Sequence, residues 1–326
     1  MELTGEDPAA LQARALQGAA ALGWPIPVIR TRRHGSGSTL ATSAPPDQLY
    51  TACAVLEWGM TDEGMNGRAW RTVLEQQRSE ANPRLRAALA NAHGPAFCDD
   101  DFGLTIGLGK HSRTWPLDAI PEVLPAGERV PFAFITGTNG KTTTTRMLTQ
   151  IALAAGRQPG WTNSDAYGVG YETLAAGDWT GPGAARRILR HPSVDLAILE
   201  TARGGLLRRG LVIGGADTAA VTNVSADHLG EFGIHDVADM ALAKLSVAFG
   251  VRHGGTLVLQ GADAHLRAAL QHSVLPRRPD LQVRFFADLP DSALDAWADA
   301  HAMHLGDLEI GFAEIPMTFH GSARHN

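Results

Sequence analysis

The chain has 326 residues, 44% of them hydrophobic, and carries a net charge of −6. This length is enough for two domains that each bury a core, and the acidic balance gives no basic field of the kind that attracts nucleic acid. The two cysteines, Cys53 and Cys98, lack any metal-ligand spacing, which is typical of a reducing compartment.

The first residues, MELTGEDPAA, show no secretory signal. No apolar run along the chain reaches the roughly 20 residues that a membrane-spanning helix needs. We therefore expect a cytoplasmic protein with neither a membrane nor nucleic acid as its partner.

A first, smaller domain of α/β or α+β type is predicted over residues 1–128, before the Pro/Gly-containing stretch LPAGERVP. Its role is uncertain, with binding on the substrate side as one option. The patterns predict a helix at 9–23, a flexible loop at 35–47, a helix or buried strand at 48–60, one or two helices at 68–92 interrupted near Pro83, and a hairpin or single strand at 99–109.

A second domain is predicted over residues 129–326, where strands and helices alternate. Strands are expected at 130–136, 194–199, 217–222, 256–259 and 282–286, and helices at 141–155, 183–190, 236–250, 262–271 and 291–300. This alternation predicts an α/β fold with a mostly parallel sheet that helices cover on both faces. Ligands of such sheets bind at the carboxyl ends of the strands.

The segment FITGTNGKTT lies at one of these strand ends and resembles a phosphate-binding loop. The general loop pattern has a glycine five positions before its Gly-Lys pair, but Ile135 occupies that position here. Gly137 and Gly140 allow a tight turn around an anion at the start of a helix. Lys141 would neutralise phosphate charge, and Thr142 would offer its hydroxyl to magnesium.

Two further strands end in polar residues. Glu200 follows the run VDLAIL and has the position of an acid that binds magnesium directly or through water. His228 follows the strand DTAAVTNV, where it would bind a second metal or orient a phosphate, while Asp227 would cap a turn or helix. A lone acid or histidine is often only structural. Polar groups at the ends of three strands instead indicate that they converge on one functional site.

Lysine is rare in this chain: Lys110, Lys141 and Lys244 are three of 28 basic residues. Arginine serves wherever a solvated positive charge suffices. A lysine that remains is therefore a candidate for chemistry that needs a compact charge or a nucleophilic amine.

These features together resemble the Mur ligase family. The loop GTNGKTT, an acid after the next central strand, and a DH pair followed about 16 residues later by a helical lysine are similar to the central ATPase domain of that family. Within it, GDWTGPGAARRILRHPSVDLAILETARGGLLRRGL resembles the Mur-like half of cyanophycin synthetases. The resemblance covers roughly residues 129–326.

The resemblance implies an ATP-dependent amide ligase that activates a carboxylate as an acyl phosphate for attack by an amino-acid amine. The implied catalytic residues are Lys141, Glu200, His228 and Lys244, and one or two Mg²⁺ ions would be held by Thr142, Glu200, His228 and Lys244. Lys244 falls where many members carry a carbamylated lysine, a modification that arginine cannot accept. ATP and amino-acid or peptide substrates would be the partners.

The resemblance also implies a set of residues that contact the nucleotide. They are Gly137, Thr138, Asn139, Gly140, Lys141, Thr142 and Thr143 in the loop, and Asn326 on the adenine side. The segment at Asn326 leads in the family into a C-terminal domain that holds the incoming amine. The sequence therefore favours a ligase whose C-terminal domain is missing from this chain.

The alternative is a truncated or non-catalytic ATP-binding module that needs a partner chain. Such a chain would supply the missing domain, and a homo-oligomer is a further option that the sequence leaves open. A general P-loop switch protein is disfavoured, since it gives the DH pair and Lys244 no purpose.

Overall fold

The computed structural model of the chain describes residues 2–3, 8–34, 37–99, 101–227 and 229–314. They fall into two compact units, one formed by described residues of 1–106 and 114–126 and the other by those of 107–113 and 127–326. Within these residues no helix combines the length and apolar character needed to cross a membrane.

The first unit is an α+β arrangement of helices and two small sheets. Its elements are β1 (Glu2–Leu3), α1 (Pro8–Ala21), β2 (Ile29–His34), β3 (Gly37–Thr42), α2 (Leu49–Gly59), α3 (Arg68–Glu80), α4 (Pro83–Ala90), β4 (Ala96–Asp99), β5 (Gly103–Ile106) and β6 (Arg113–Trp115). The sheets have the orders β1-β3-β2 and β4-β5-β6. The predicted first helix and the break near Pro83 are both present, and the run 48–60 proves to be helical.

The loop predicted at 35–47 is partly wrong. Residues 37–42 form β3, which pairs antiparallel with the whole of β2. Its side chains alternate in burial, with Ser38 and Leu40 almost fully buried. The Gly/Ser-rich composition suggests a loop. The segment is a strand because its side chains alternate in burial and its backbone pairs with β2.

The second unit is built on one large sheet. Its strands are β7 (Phe132–Thr136), β8 (Pro159–Thr162), β9 (Ala166–Val169), β10 (Glu172–Ala176), β11 (Leu196–Glu200), β12 (Ala216–Val221), β13 (Val251–Gln260), β14 (Gln282–Ala287), β15 (Ala296–Ala298), β16 (Ala302–Leu305) and β17 (Leu308–Gly311). The helices are α5 (Lys141–Ala154), α6 (Pro182–Leu189), α7 (Arg203–Arg209), α8 (Val237–Leu245) and α9 (Ala264–Ala269).

The strand order is β10-β9-β8-β11-β7-β12-β13-β14-β15-β16-β17. All pairs from β8 to β15 are parallel, and the pairs at both edges are antiparallel. Phe134, Leu199 and Leu257 of the central strands are at most 1% exposed, as expected for strands covered on both faces. The predicted mostly parallel α/β sheet is confirmed.

The helix predicted at 291–300 is wrong. Ala296–Ala298 form β15, which joins β14 in parallel and β16 in antiparallel register. The Asp295 carboxylate anchors the segment by accepting hydrogen bonds from Arg284 Nη1 and from the backbone N of Phe285, both at 2.7 Å. The Ala-rich composition favours a helix, but these contacts with β14 override the local propensity.

Candidate functional site

The glycine loop between β7 and α5 has a backbone that only glycine adopts readily. Gly137 has φ +150° and Gly140 has φ +80°. A Cβ on Gly137 would lie 1.8 Å from Oγ1 of Thr222, which follows β12. Both glycines are therefore required by geometry, one for close approach and both for backbone conformation.

The residues after β12 hold this loop in place. Thr222 Oγ1 donates a hydrogen bond to the carbonyl oxygen of Asn139 at 2.6 Å. Asn223 accepts from the backbone N of Thr138 with its carbonyl oxygen and from the backbone N of Asn139 with its side chain, each at 3.0 Å. The loop is thus fixed to the carboxyl end of a neighbouring parallel strand.

Helix α5 begins at Lys141 directly after this loop. Its N-cap residue is Gly140, and no described side chain caps the first turn. The Lys141 Nζ donates to the carbonyl oxygen of Thr138 at 2.8 Å, so the ammonium lies over the loop. Backbone N–H groups of a helix start and an adjacent ammonium together form a site suited to phosphate groups.

Thr142 connects the loop with the end of β11. Its Oγ1 donates to Glu200 Oε2 at 2.8 Å and lies 2.9 Å from Ser164 Oγ. Glu200 ends β11 and is only 2% exposed. The strand register explains why Thr142 and Glu200 are in contact. Glu200 pairs with Ile135 near the end of β7, just before the loop.

The buried Glu200 carboxyl lies in a mixed electrostatic environment. Burial raises its pKa above the usual value, whereas the Thr142 hydrogen bond and the Lys141 charge lower it. Its ionised form is therefore stabilised by neighbouring donors but still costly to bury. A cation at the site would favour that form further.

Lys244 lies in α8 and is only 4% exposed. Burial, the charge of Lys141 and the charge of Arg203 lower its pKa to about 8, against a smaller opposite effect of Asp227. Its ammonium has no hydrogen-bond or ion-pair partner among the described residues. Because the pKa is about 8, about half of the Lys244 side chains carry a neutral amine near pH 8.

The structure thus brings together Lys141, Thr142 and Glu200, and Lys244 lies near enough for the Lys141 charge to lower its pKa. Thr143 is exposed on the first turn of α5, and its contact with the nucleotide stays a prediction. His228 and Asn326 lie outside the described residues. Asp227 is described and exposed.

The sequence analysis missed three residues of the site: Ser164, Thr222 and Asn223. Thr222 and Asn223 directly follow β12, so the rule that pointed to Glu200 at the end of β11 also applies to them. Ser164 is the second residue after β8, the position that Asn223 has after β12. A search of every strand end for hydroxyl and amide side chains would have identified all three.

Three further polar residues lie near these strand ends: Thr162 ends β8, Asp165 follows it, and Arg203 begins α7. Thr162 is fully buried and its hydroxyl has no hydrogen-bond partner among the described residues. Asp165 forms an ion pair with Arg146 at 2.8 Å on the surface. Arg203 pairs with Glu231 at 2.7 Å and has a side chain that is 10% exposed.

Fold and loop define the class: a mostly parallel α/β domain with a phosphate-loop-type turn at the carboxyl ends of its central strands. More narrowly, residues 135–277 match the family model of the Mur ligase middle domain. These residues are therefore similar to a Mur ligase middle domain, and the predicted resemblance is confirmed.

Similar proteins agree with this assignment. A cyanophycin synthetase of Synechocystis sp. is 42% identical over 188 residues, which are 57% of this chain and 20% of that protein. A UDP-N-acetylmuramoylalanine--D-glutamate ligase of Chlorobium luteolum is 33% identical over 153 residues, 45% of this chain and 30% of the relative. The chain thus spans about a fifth of the length of the cyanophycin synthetase it matches.

A solved UDP-N-acetylmuramoyl-L-alanyl-D-glutamate--2,6-diaminopimelate ligase is similar in structure. It has a TM-score of 0.46 and 18% identity, over 56% of this chain and 38% of that one. These values are too low for the properties of that enzyme to bear on this chain.

Proposed function

We propose that the second unit is the ATP-using part of a carboxylate–amine ligase that forms an amide bond through an acyl phosphate. One observation carries the proposal: the Thr142 hydroxyl donates to the buried Glu200 carboxylate beside a glycine loop covered by the Lys141 ammonium. Similarity to cyanophycin synthetases and to UDP-N-acetylmuramoylalanine--D-glutamate ligases supports it.

The reaction needs two displacements. A carboxylate oxygen attacks the γ-phosphorus of ATP and ADP leaves, giving an acyl phosphate. A neutral amine then attacks the acyl carbon, phosphate leaves, and the amine nitrogen loses a proton. The protein contributes chiefly by positioning and by stabilising phosphate charge. The loop N–H groups and Lys141 are suited to both tasks.

The donor set at the strand ends fits magnesium. Thr142 and Ser164 offer hydroxyl oxygens and Glu200 a carboxylate, and oxygen donors are the ligands that Mg²⁺ prefers. The described residues contain no group of three or more His, Cys, Asp and Glu side chains placed to hold a metal ion, so substrate phosphates and water would complete such a site. The bound ion would neutralise charge on the phosphates; His228 is proposed as a further ligand.

Lys244 is proposed as a carbamylated metal ligand. This assignment comes from the family resemblance, and two observations support it: the amine is buried, and its pKa is about 8. A neutral primary amine reacts with carbon dioxide, whereas a guanidinium does not. Lys244→Arg should therefore lose most of the activity. Full activity of that variant, or a protein mass without one added carbon dioxide in bicarbonate buffer, would rule the carbamate out.

The substrates proposed are ATP, an amino-acid or peptide carboxylate and an amino-acid amine. The test uses carboxylates labelled with ¹⁸O, incubated with the chain, ATP, Mg²⁺ and an amine panel. An acyl phosphate transfers one ¹⁸O atom to the released phosphate, and simple ATP hydrolysis does not. Thr142→Val removes the hydroxyl that donates to Glu200, and Thr144→Val is the matched control on the same helix, beyond the predicted nucleotide contacts.

The alternative proposal is an ATP-binding module without catalysis of its own. It predicts tight ATP binding with no carboxylate-dependent phosphate release. Phosphate release that appears only after addition of a separate chain would favour the form of this alternative in which a partner completes the ligase.

A further inference from the structure

A cleft of about 360 Å³ lies within the first unit, between helix α4 and the chain segment 120–124. Its apolar lining comes from Ala87 and Ala88 of α4 and from Ile120 and Leu124 of the facing segment. The volume falls within the roughly 300 to 1,000 Å³ typical of ligand sites. The proposed phosphate chemistry uses no residue of this cleft.

The two walls of the cleft are joined to each other and rest on a packed core. Asn82 caps α4 by accepting a hydrogen bond from the backbone N of Leu85 at 2.9 Å, and its Nδ2 donates to the carbonyl oxygen of Leu117 at 3.1 Å. Ala88 and Ile120, one from each wall, are 8% and 5% exposed and belong to the same hydrophobic cluster. The cleft is therefore formed by the fold itself, as is usual for ligand sites.

Two side chains of opposite charge also line this cleft. Arg84 comes from the first turn of α4 and Glu122 from the facing segment, and both are exposed. Neither has a hydrogen-bond or ion-pair partner among the described residues, and they do not pair with each other. Arg86, two residues further along α4, is by contrast held by two hydrogen bonds to Asp47 at 3.0 and 3.1 Å. Arg84 and Glu122 are therefore both available to a ligand.

These lining groups define the chemistry of that ligand. A carboxylate would accept hydrogen bonds from the Arg84 guanidinium, and an ammonium would donate to the Glu122 carboxylate. An aliphatic group would lose apolar surface to Ile120 and Leu124. At about 30 Å³ for each water-sized group, the cleft holds roughly twelve such groups. This is room for one amino acid with its side chain, but too little for a longer peptide.

We propose that this cleft binds a free zwitterionic amino acid with an aliphatic side chain. Its carboxylate lies at Arg84, its ammonium lies at Glu122, and its side chain packs between the two apolar walls. The inference gives the first unit a binding role of its own. It does not depend on the ligase proposal, because binding here needs neither ATP nor any residue of the second unit.

Binding is tested by nuclear magnetic resonance of the full chain, with ¹³C in the methyl groups of its alanine, isoleucine and leucine residues and unlabelled L-leucine as the probe. The methyl signals of Ala87, Ala88, Ile120 and Leu124 should shift together as leucine is added. Leucinamide lacks the carboxylate and N-acetylleucine lacks the ammonium. Each should bind about threefold to tenfold less tightly than leucine, as expected for the loss of one charged contact at an exposed site.

Two substitutions assign each charge of the ligand to one side chain. Arg84→Gln should lower the affinity for leucine about threefold to tenfold and bind leucine and leucinamide equally. Glu122→Gln should lower it by a similar factor and bind leucine and N-acetylleucine equally. This pairing of protein and ligand changes isolates each contact in the way a double-mutant cycle does. Arg71→Gln and Glu75→Gln are the matched controls, since both residues are exposed on α3 and do not line the cleft.

The inference is overturned if leucine, up to its solubility limit, leaves the cleft methyl signals unshifted. It is also overturned if leucine, leucinamide and N-acetylleucine bind the unmodified chain equally, or if both cleft variants keep full affinity for leucine. Methyl signals outside the cleft report whether each variant is folded. If a variant does not fold, the comparison of the three ligands on the unmodified chain decides.

Discussion

Replacing Lys244 by methionine should change how stability depends on pH. Burial and the nearby charges of Lys141 and Arg203 lower the pKa of the lysine from 10.5 to about 8. Between these two values the unfolded chain still holds the proton that the folded protein has released. The free energy of unfolding of the unmodified protein therefore rises with pH in this window, and the methionine variant lacks this contribution.

The size of the effect follows from the two pKa values. A difference of about 2.5 corresponds to roughly 3 kcal/mol, of which about 2 kcal/mol develops between pH 8 and 9.5. Below pH 8 the Lys244→Met variant should be the more stable protein, because it buries no ammonium. Its advantage should shrink as the pH rises. For a unit of this size the change corresponds to about 4 to 8 °C in apparent Tm.

The assay is thermal unfolding of both proteins from pH 7 to 9.5 in buffers freed of carbon dioxide, because a carbamate would remove the ammonium. Lys110→Met, at an exposed lysine of the same unit, controls for the loss of a positive charge as such. If the difference in Tm between Lys244→Met and the unmodified chain stayed constant from pH 7 to 9.5, burial of a charged Lys244 would be refuted.

Three further substitutions test the loop and the acid at the end of β11. Lys141→Ala should abolish ATP binding or turnover, measured by calorimetry and phosphate release; undiminished values would contradict its role. Gly137→Ala should weaken ATP binding at least tenfold, since the new Cβ would lie 1.8 Å from Thr222 Oγ1 and the φ of +150° is strained for alanine; normal affinity would show that the loop rearranges freely. Glu200→Gln should raise the apparent Tm in metal-free buffer, because burial raises the pKa of the carboxyl, while lowering Mg²⁺-dependent phosphate release at least a hundredfold; a lower Tm with unchanged turnover would contradict both arguments.

The core of the second unit could be predicted because local patterns and tertiary structure agree there. The strand before the loop ends at Thr136 and the helix after it starts at Lys141, as the sequence indicated. Gly137 and Gly140 mark the turn because the chain takes positive φ at both positions. Glu200 was predictable by the same reasoning, since an acid at the end of a buried strand must face the edge where ligands bind.

The errors occur where tertiary pairing decides. Composition alone favours a loop for the Gly/Ser-rich residues 37–42 and a helix for the Ala-rich residues around 296–298. Both segments instead form strands, because they pair with the preceding strands β2 and β14. The hairpin of β9 and β10 was not predicted either. Its short strands have partly exposed side chains, so they lack the apolar run that identifies the central strands.

The loop after β8 shows how a turn places a residue at the phosphate loop. Asn163 Oδ1 accepts hydrogen bonds from the backbone N of Asp165 and of Ala166, and the chain therefore turns at Ser164. That turn places the Ser164 hydroxyl 2.9 Å from Thr142 Oγ1. A carboxylate such as Glu200 indicates chemistry by its type, whereas Asn163 and Ser164 act through the turn they share, which the sequence pattern did not reveal.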